Sequence, residues 1–207
     1  MKNLILIGAG GHAKSVADSI NKLEYELCGF IDSNKKGTHM GLPIWGAELE
    51  DIPNYEEYSY FVSIGDVGYR KQWFDRLRER RLSIINIIDS SAIISASAKM
   101  GIGNFIGKMA VINADAEIGN NNVINTKALI EHECKVGDHN HLSTNSVING
   151  NVIVGNSVFL GSSSVCNGQL KICRRTYSPH QTVPAPPPPR QWRHPPPYQS
   201  PIPAQTA

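Results

Sequence analysis

The chain has 207 residues and a mass of 22.7 kDa, with 41% hydrophobic and 18% charged side chains, enough to bury a core unaided. Its net charge of +2 points to a nucleic-acid partner only until it is divided by segment: four of the 20 basic residues (Arg174, Arg175, Arg190, Arg193) and no acidic residue follow Ile172, so residues 1–172 carry 16 basic against 18 acidic side chains, a net of −2. The same composition excludes a membrane-spanning helix, because no apolar run reaches 18 residues.

The N-terminus enters a short apolar run, Leu4 to Ile7, and then glycines, with no small-residue cleavage site. The expectation is a cytoplasmic protein without a signal peptide. Cys28, Cys134, Cys166 and Cys173 stand at no metal-ligand spacing and are expected to be reduced thiols, with no metal site.

Leu4 to Ile7 reads as a buried parallel strand. Gly8-Ala9-Gly10-Gly11-His12 follows, and then Ala13 to Ile20, where Val16 and Ile20 share a helical face. Tyr25 to Ile31 is a second strand ending in Asp32-Ser33-Asn34, and Tyr60 to Ile64 a third ending in Gly65-Asp66. Tyr69 to Arg81 is charged and periodic, hence helical. The series predicts a small doubly wound, Rossmann-like α/β unit over residues 1–82. Glycines there let backbone N–H groups approach a phosphate at a helix N-terminus, and Asp32 is placed to bond a ribose hydroxyl. Ala13 replaces the third glycine of G-x-G-x-x-G, and the unit is short for a dinucleotide domain. A nucleotide or nucleotide-sugar is therefore the better ligand than NAD, and a bare tight turn the alternative.

From Ile88 the sequence has a period of six. Ile88, Ile94, Met100, Ile106, Ile112, Ile118, Ile124, Ile130, Val136, Leu142, Ile148, Val154, Leu160, Cys166 and Ile172 are all apolar. The residue two places before each is mostly small, as in Ala92, Ala98, Ala110, Ala116, Ala128, Cys134, Ser146 and Ser164. Such a period is neither helical nor alternating. It predicts a left-handed parallel β-helix over residues 83–172, in which three hexads make one triangular coil and each aliphatic side chain points into the prism. The run speaks against an NAD-linked oxidoreductase. A non-catalytic sugar-nucleotide sensor is the remaining alternative class.

A glycine-rich unit followed by hexapeptide repeats resembles the NeuD/PglD type of hexapeptide-repeat acyltransferases over residues 1 to about 172. The likeness rests on Gly8 to Ser15, Gly29 to Asp32, Asn86 to Asp89, Phe105 to Met109, Ile124-Asn125-Thr126, Ile130-Glu131-His132 and Asn167 to Lys171. The last segment is closer to the sialic acid O-acetyltransferase branch than to the amino-sugar N-acetyltransferases. The resemblance implies transfer of acetyl from acetyl-CoA, as co-substrate rather than resident cofactor, to a hydroxyl of free or CMP-linked sialic acid for capsular polysaccharide. N-acetylation of a UDP-linked amino sugar is the alternative.

It also implies roles. His132 is the general base and Glu133 raises its basicity. Gly150, eighteen residues on and so one coil above, offers a backbone N–H to the oxyanion. Asn125 contacts the acceptor sugar, or simply stacks at a turn. His141 and Ser162 contact acetyl-CoA. Gly10, Gly11, His12, Asp32, Ser33 and Gly65 hold the nucleotide part of the substrate. Cys134, at a cramped corner, is packing rather than a nucleophile, and His139 is a surface residue. The family forms homotrimers with acetyl-CoA between prisms, so His132 and His141 would serve one site from adjacent chains.

The period stops at Ile172, where eleven of 13 prolines begin. Residues 173–207 are expected to be polyproline II or disordered, and a frameshift near codon 172 explains the abrupt break better than a tail for a proline-binding partner. Loss of further coils would open the prism end at Leu160, Cys166 and Ile172 and weaken activity.

Overall fold

The computed structural model describes residues 1–172; the expectations for the tail lie outside the described residues. Two units follow one another. The first is a six-stranded sheet made of β1 (Lys2–Ile7), β2 (Tyr25–Ile31), β3 (Thr38–His39), β4 (Leu42–Gly46), β5 (Ser59–Val62) and β6 (Ser83–Ile84), in the order β3-β4-β2-β1-β5-β6. All pairings are parallel except β3 with β4. Because β6 joins this sheet, the unit runs slightly past residue 82.

Alternation along β1 explains why both sheet faces are covered. Leu4 and Leu6 join Ala13, Val16, Ala17 and Ile20 around helix α1 (Gly11–Asp18). Ile5 and Ile7 join Phe74 and Leu77 of helix α2 (Val67–Glu79) on the other side. Successive strand side chains point to opposite faces, so an unbroken apolar strand packs a helix on each. From β1 the chain moves to β2 on one side and later to β5 on the other. The carboxyl ends of β1 and β5 therefore flank a topological switch point, the place where open α/β sheets form a crevice.

The second unit is the left-handed β-helix. Fifteen two-residue strands form three five-stranded parallel sheets. Face I holds Ile87–Ile88, Phe105–Ile106, Val123–Ile124, His141–Leu142 and Phe159–Leu160. Face II holds Ile93–Ile94, Val111–Ile112, Leu129–Ile130, Val147–Ile148 and Val165–Cys166. Face III holds Lys99–Met100, Glu117–Ile118, Lys135–Val136, Ile153–Val154 and Lys171–Ile172. Each strand pairs with the strand 18 residues away, as Ile106 with Ile124 and Val136 with Val154. The second residue of each strand fills the prism: Ile106, Ile112, Ile124, Ile130, Leu142 and Ile148 are wholly buried.

The ends of this pattern differ from expectation. Ile88 is 41% exposed, and Ile94 and Met100 are only partly buried, so the first coil is where the prism interior meets water. Leu160 and Cys166 are fully buried and Ile172 is 5% exposed, which contradicts an open end at these side chains.

The corners carry a second regularity. One residue per corner has a positive φ, from Met109 through Asp115, Asn121, Lys127, Glu133, His139, Asn145, Asn151, Ser157 and Ser163 to Gln169, all between 54° and 62°. A left-handed conformation costs a non-glycine residue about 1–2 kcal/mol. At the corner between faces III and I an asparagine ladder offsets that cost. Asn86 Oδ1 accepts the Asn104 N–H, Asn104 Oδ1 the Asn122 N–H, Asn122 Oδ1 the Asn140 N–H, and Asn140 Oδ1 the Val158 N–H, each at 2.7–2.8 Å.

Candidate functional site

The crevice at the switch point is a cleft of about 520 Å³. Gly8, Gly10, Gly11 and His12 line it after β1, Asp32, Ser33 and Asn34 after β2, and Ser63, Ile64 and Gly65 after β5, with Tyr69 and Trp73 from α2. All six cleft residues anticipated from sequence thus meet in one place. Helix α1 begins at Gly11, and Gly10 caps it without a side chain, leaving the first-turn N–H groups free of a competing oxygen. Asp32 has a role beyond the one its position at the end of β2 implies: Oδ2 accepts the Ala9 N–H at 2.7 Å, and Oδ1 accepts those of Asn34 and Lys35 at 2.9 and 3.0 Å. It shapes the glycine turn as well as facing the cleft. Ser63 Oγ donates toward the carbonyls of Ile7 and Gly8 and fixes the other wall.

Beneath the cleft the first unit meets face I of the prism. His12 packs edge-on to Phe105 at 5.2 Å between ring centroids and lies 6.4 Å from the His141 ring. His141 Nδ1 is 3.2 Å from the Gly65 carbonyl, so the neutral tautomer there carries its proton on Nδ1. Burial pushes both imidazoles down to about 4, helped at His12 by His141 and then Arg70, and at His141 by Arg70. Both are uncharged at neutral pH. Arg70, wholly buried, lies in the same junction and gives no sign of it in the sequence, where it reads as one more charge on a charged helix. His139 is a correction: it is 9% exposed, its Nδ1 is 2.8 Å from Asn121 Nδ2, and its ring meets Phe74. Its corner packs against α2, which the six-residue period alone does not reveal.

The residues expected to carry the transfer stand elsewhere. His132 and Glu133 occupy the corner between faces II and III, both well exposed, with His132 Nδ1 3.2 Å from Glu133 Oε2. Gly150 stacks above as the 18-residue period requires. A Cβ at Gly150 would lie 2.7 Å from both Cε1 and Nε2 of His132, so only glycine lets the imidazole sit flat against the next coil. The adjacent ladder bonds run from Asn149 N–H to the Cys166 carbonyl and from Asn151 N–H to the His132 carbonyl. Neither bond uses the Gly150 N–H. Cys134 is wholly buried beside them, bonded to the Asn149 carbonyl, and its burial pushes the thiol up; it packs.

Asn125 and Ser162 lie on the corner between faces I and II. Asn125 Oδ1 accepts the Thr126 N–H at 2.8 Å, and Ser162 Oγ is 3.2 Å from Ser143 Oγ. One chain therefore brings together the cleft residues and His141, and separately His132, Glu133 and Gly150. It does not join the two groups, since the width of face III separates His132 from His141. Among the described residues no group of His, Cys, Asp and Glu has the geometry to hold a metal ion, and no helix is long and apolar enough to cross a membrane.

Residues 3–77 match the PglD N-terminal domain family. A 110-residue stretch is 32% identical to UDP-N-acetylbacillosamine N-acetyltransferase of Bacillus subtilis (strain 168), covering 50% of each chain. An uncharacterised mimivirus protein is 35% identical over 99 residues, a fifth of its length. The chain thus spans half or less of the curated relatives it matches. In fold it is similar to the acetyltransferase domain of PglB from Neisseria gonorrhoeae FA1090 in complex with acetyl coenzyme A, with a TM-score of 0.77, 26% identity, and 82% of this chain and 84% of that one covered. It is also similar to perosamine N-acetyltransferase from Caulobacter crescentus in complex with CoA and GDP-perosamine, with a TM-score of 0.68, 27% identity, and 84% and 90% covered. In sequence and in fold the chain resembles the NeuD/PglD-type hexapeptide acyltransferases.

Proposed function

We propose that this chain transfers acetyl from acetyl-CoA to the amine of a nucleotide-linked amino sugar. The observation that carries the reading is the His132–Glu133 pair pressed against Gly150 on an exposed corner. With Nδ1–H turned to the Glu133 carboxylate, Nε2 is left as the proton acceptor beside the Gly150 backbone. The sugar amine attacks the thioester carbonyl carbon, His132 takes the amine proton, and the Gly150 N–H donates to the oxyanion. Collapse expels the thiolate, which leaves as CoA thiol with that proton. The nucleotide lies in the cleft over α1, with Gly10, Gly11, His12, Asp32, Ser33 and Gly65 around it, and Asn125 meets the sugar.

Relatives with a named acceptor act on, or are bound to, amino sugars, which favours the amine over the sialic acid hydroxyl anticipated from Asn167 to Lys171. The separation of cleft and corner within one chain supports the reading that neighbouring copies complete each site, with His141 and Ser162 against acetyl-CoA between prisms. Face II supports this homotrimer: its outward residues Ile93, Val111, Leu129, Val147 and Val165 join none of the hydrophobic clusters.

Release of free CoA thiol, followed with acetyl-CoA and a panel of UDP- and GDP-linked amino sugars, CMP-sialic acid and free sialic acid, tests the proposal. Turnover is expected with an amino sugar. His132→Ala is expected to lower kcat about 10²- to 10⁴-fold, the usual worth of a general base. Turnover with sialic acids alone would overturn the amine reading, and an unimpaired His132→Ala would remove His132 from the chemistry.

A further inference from the structure

Arg70 combines three properties that rarely meet. It is 0% exposed, it has no carboxylate ion-pair partner among the described residues, and all five of its N–H groups are used. Nε donates to the Asn121 carbonyl at 3.3 Å. Nη1 donates to the carbonyls of Ile64 and Gly65 at 3.2 and 3.0 Å. Nη2 donates to those of His139 and Asn140 at 3.3 and 3.1 Å. Five donors in a rigid planar fork thus meet five carbonyl oxygens. Two of those oxygens belong to the cleft wall after β5, and three to the corner of the β-helix between faces III and I.

An apolar side chain of similar size would hold two packed units together without the desolvation of a charge. What a guanidinium adds is the orientation of peptide groups. In a trans peptide the C=O and the following N–H point in opposite directions. With the Ile64 carbonyl turned to Arg70, the Gly65 N–H points away from it. With the Gly65 carbonyl turned to Arg70 and His141 Nδ1, the Asp66 N–H points away too. Ile64 and Gly65 line the cleft, and no backbone bond of the described residues uses either amide. Helix α2 begins one residue later, at Val67, with Asp66 as its N-cap.

We propose that Arg70 is a positioning residue for the nucleotide cleft: it never touches the ligand, and it turns the Gly65 and Asp66 N–H groups toward the anionic part of a bound nucleotide. This rests on the reading of the cleft as the nucleotide site. The Asp66 carboxylate is already engaged, accepting the Tyr69 N–H at 2.9 Å, which limits its repulsion of an anion.

The experiment measures binding of UDP and GDP to the full chain by calorimetry, in wild type, Arg70→Lys and Phe74→Leu. Phe74 is buried in the same junction, against His139, and lies outside the cleft lining, so it reports general loosening. Lysine keeps the charge and loses the fork. Arg70→Lys is expected to weaken nucleotide binding at least tenfold, with Phe74→Leu within twofold of wild type. In turnover with a nucleotide-linked amino sugar, KM should rise by the same factor while kcat changes less than threefold. Equal binding by Arg70→Lys and wild type, or equal losses in both variants, would overturn the proposal. A second measurement needs no variant: in the ¹⁵N-labelled wild type, the Gly65 and Asp66 amide signals are expected to be among those that move most on adding UDP or GDP, and their failure to move while other cleft amides respond would also overturn it. Wild type that binds neither nucleotide would instead refute the nucleotide-cleft reading on which the inference stands.

Discussion

The three faces of the prism share one interior and have three different exteriors. Inward residues are apolar on every face, aliphatic except for Met100 and Cys166. The outward residue of each strand, one place earlier, decides what that face does. On face I, Ile87, Phe105 and Val123 belong to the cluster that includes α1, and the first unit covers them. On face III, Lys99, Glu117, Lys135 and Lys171 are exposed and charged. Face II presents Ile93, Val111, Leu129, Val147 and Val165, of which Ile93 is 65% exposed. The fold is thus specified by one register of the hexad, and the next sets what each face presents to its surroundings. A β-helix places the two functions on adjacent residues because strand side chains alternate between core and surface.

The sharpest way to break this comparison is to make face II resemble face III. Leu129→Lys with Val147→Lys places two charges side by side in adjacent strands of the apolar stripe. If face II is the contact between copies, these charges are desolvated without partners on association. On that reading the wild type sediments as an assembly and the double variant as a monomer, with the far-ultraviolet spectrum unchanged. The same two lysines at Glu117 and Ile153, on face III, should leave the sedimentation coefficient unaltered. Dissociation by both, or by neither, would abolish the distinction between the faces.

Face I is distinguished in turn by what it buries. His141 and His12 are uncharged in its contact with the first unit, each pushed by burial from 6.5 to about 4. Between those values the unfolded chain binds protons that the folded chain refuses, so stability rises with pH across this window and falls as pH drops through it. A tenfold difference in proton affinity is worth about 1.4 kcal/mol, so going from pH 7 to pH 5 is expected to cost roughly 2 kcal/mol per histidine. Urea midpoints at the two pH values check this, and His141→Gln should flatten the dependence. The separation of the two units should be the first event on acidification, visible in the fluorescence of Trp73 at the cleft before the β-helix itself melts.

The prism was legible in the sequence because its determinant is a single residue class at a constant interval, repeated often enough that chance cannot supply it. Ile106, Ile124 and Leu142 declare themselves in this way. The cleft was legible for a different reason: Gly10, Gly11, Asp32 and Gly65 stand at the carboxyl ends of recognisable strands, and the switch point gathers them. Arg70 and His139 were not legible. Their roles depend on contact between units 51 to 70 residues apart, and a helix rich in arginine gives no local sign that one of them faces inward. The asparagine ladder is hidden for a third reason. Asn86, Asn104, Asn122 and Asn140 repeat every 18 residues, and the six-residue step averages them with the alanines of the other two corners.

That ladder separates the corner between faces III and I from the other two. Asn122 is wholly buried, its Oδ1 accepts the Asn140 N–H at 2.8 Å, and its own N–H and Nδ2 donate to Asn104 at 2.8 and 3.1 Å. Asn122→Ala leaves the Asn140 amide buried without this acceptor, at a cost of about 1–3 kcal/mol for a stranded buried polar group. Ala128 and Cys134 hold the equivalent place on the other two corners without a side-chain ladder. Ala128→Ser, which adds one hydroxyl, should therefore cost less than Asn122→Ala in the urea midpoint. The reverse ranking would remove the ladder as the support of this corner.

The smallest effect belongs to the outside of face III. Lys135 Nζ lies 3.6 Å from Glu117 Oε2 across paired strands, with 63% and 50% of the two side chains exposed. Solvent screens the attraction and both long side chains lose rotamer freedom in making it, so a pair of this kind contributes about 0–1 kcal/mol. Glu117→Gln is expected to move the denaturation midpoint by less than about 0.5 kcal/mol, and the shift should vanish at 1 M salt, where the screening length falls to about 3 Å. A larger, salt-independent loss would mean that Glu117 is desolvated in the working assembly. Face III would then be a contact between copies as well, and the contrast that assigns association to face II alone would fail on its quietest member.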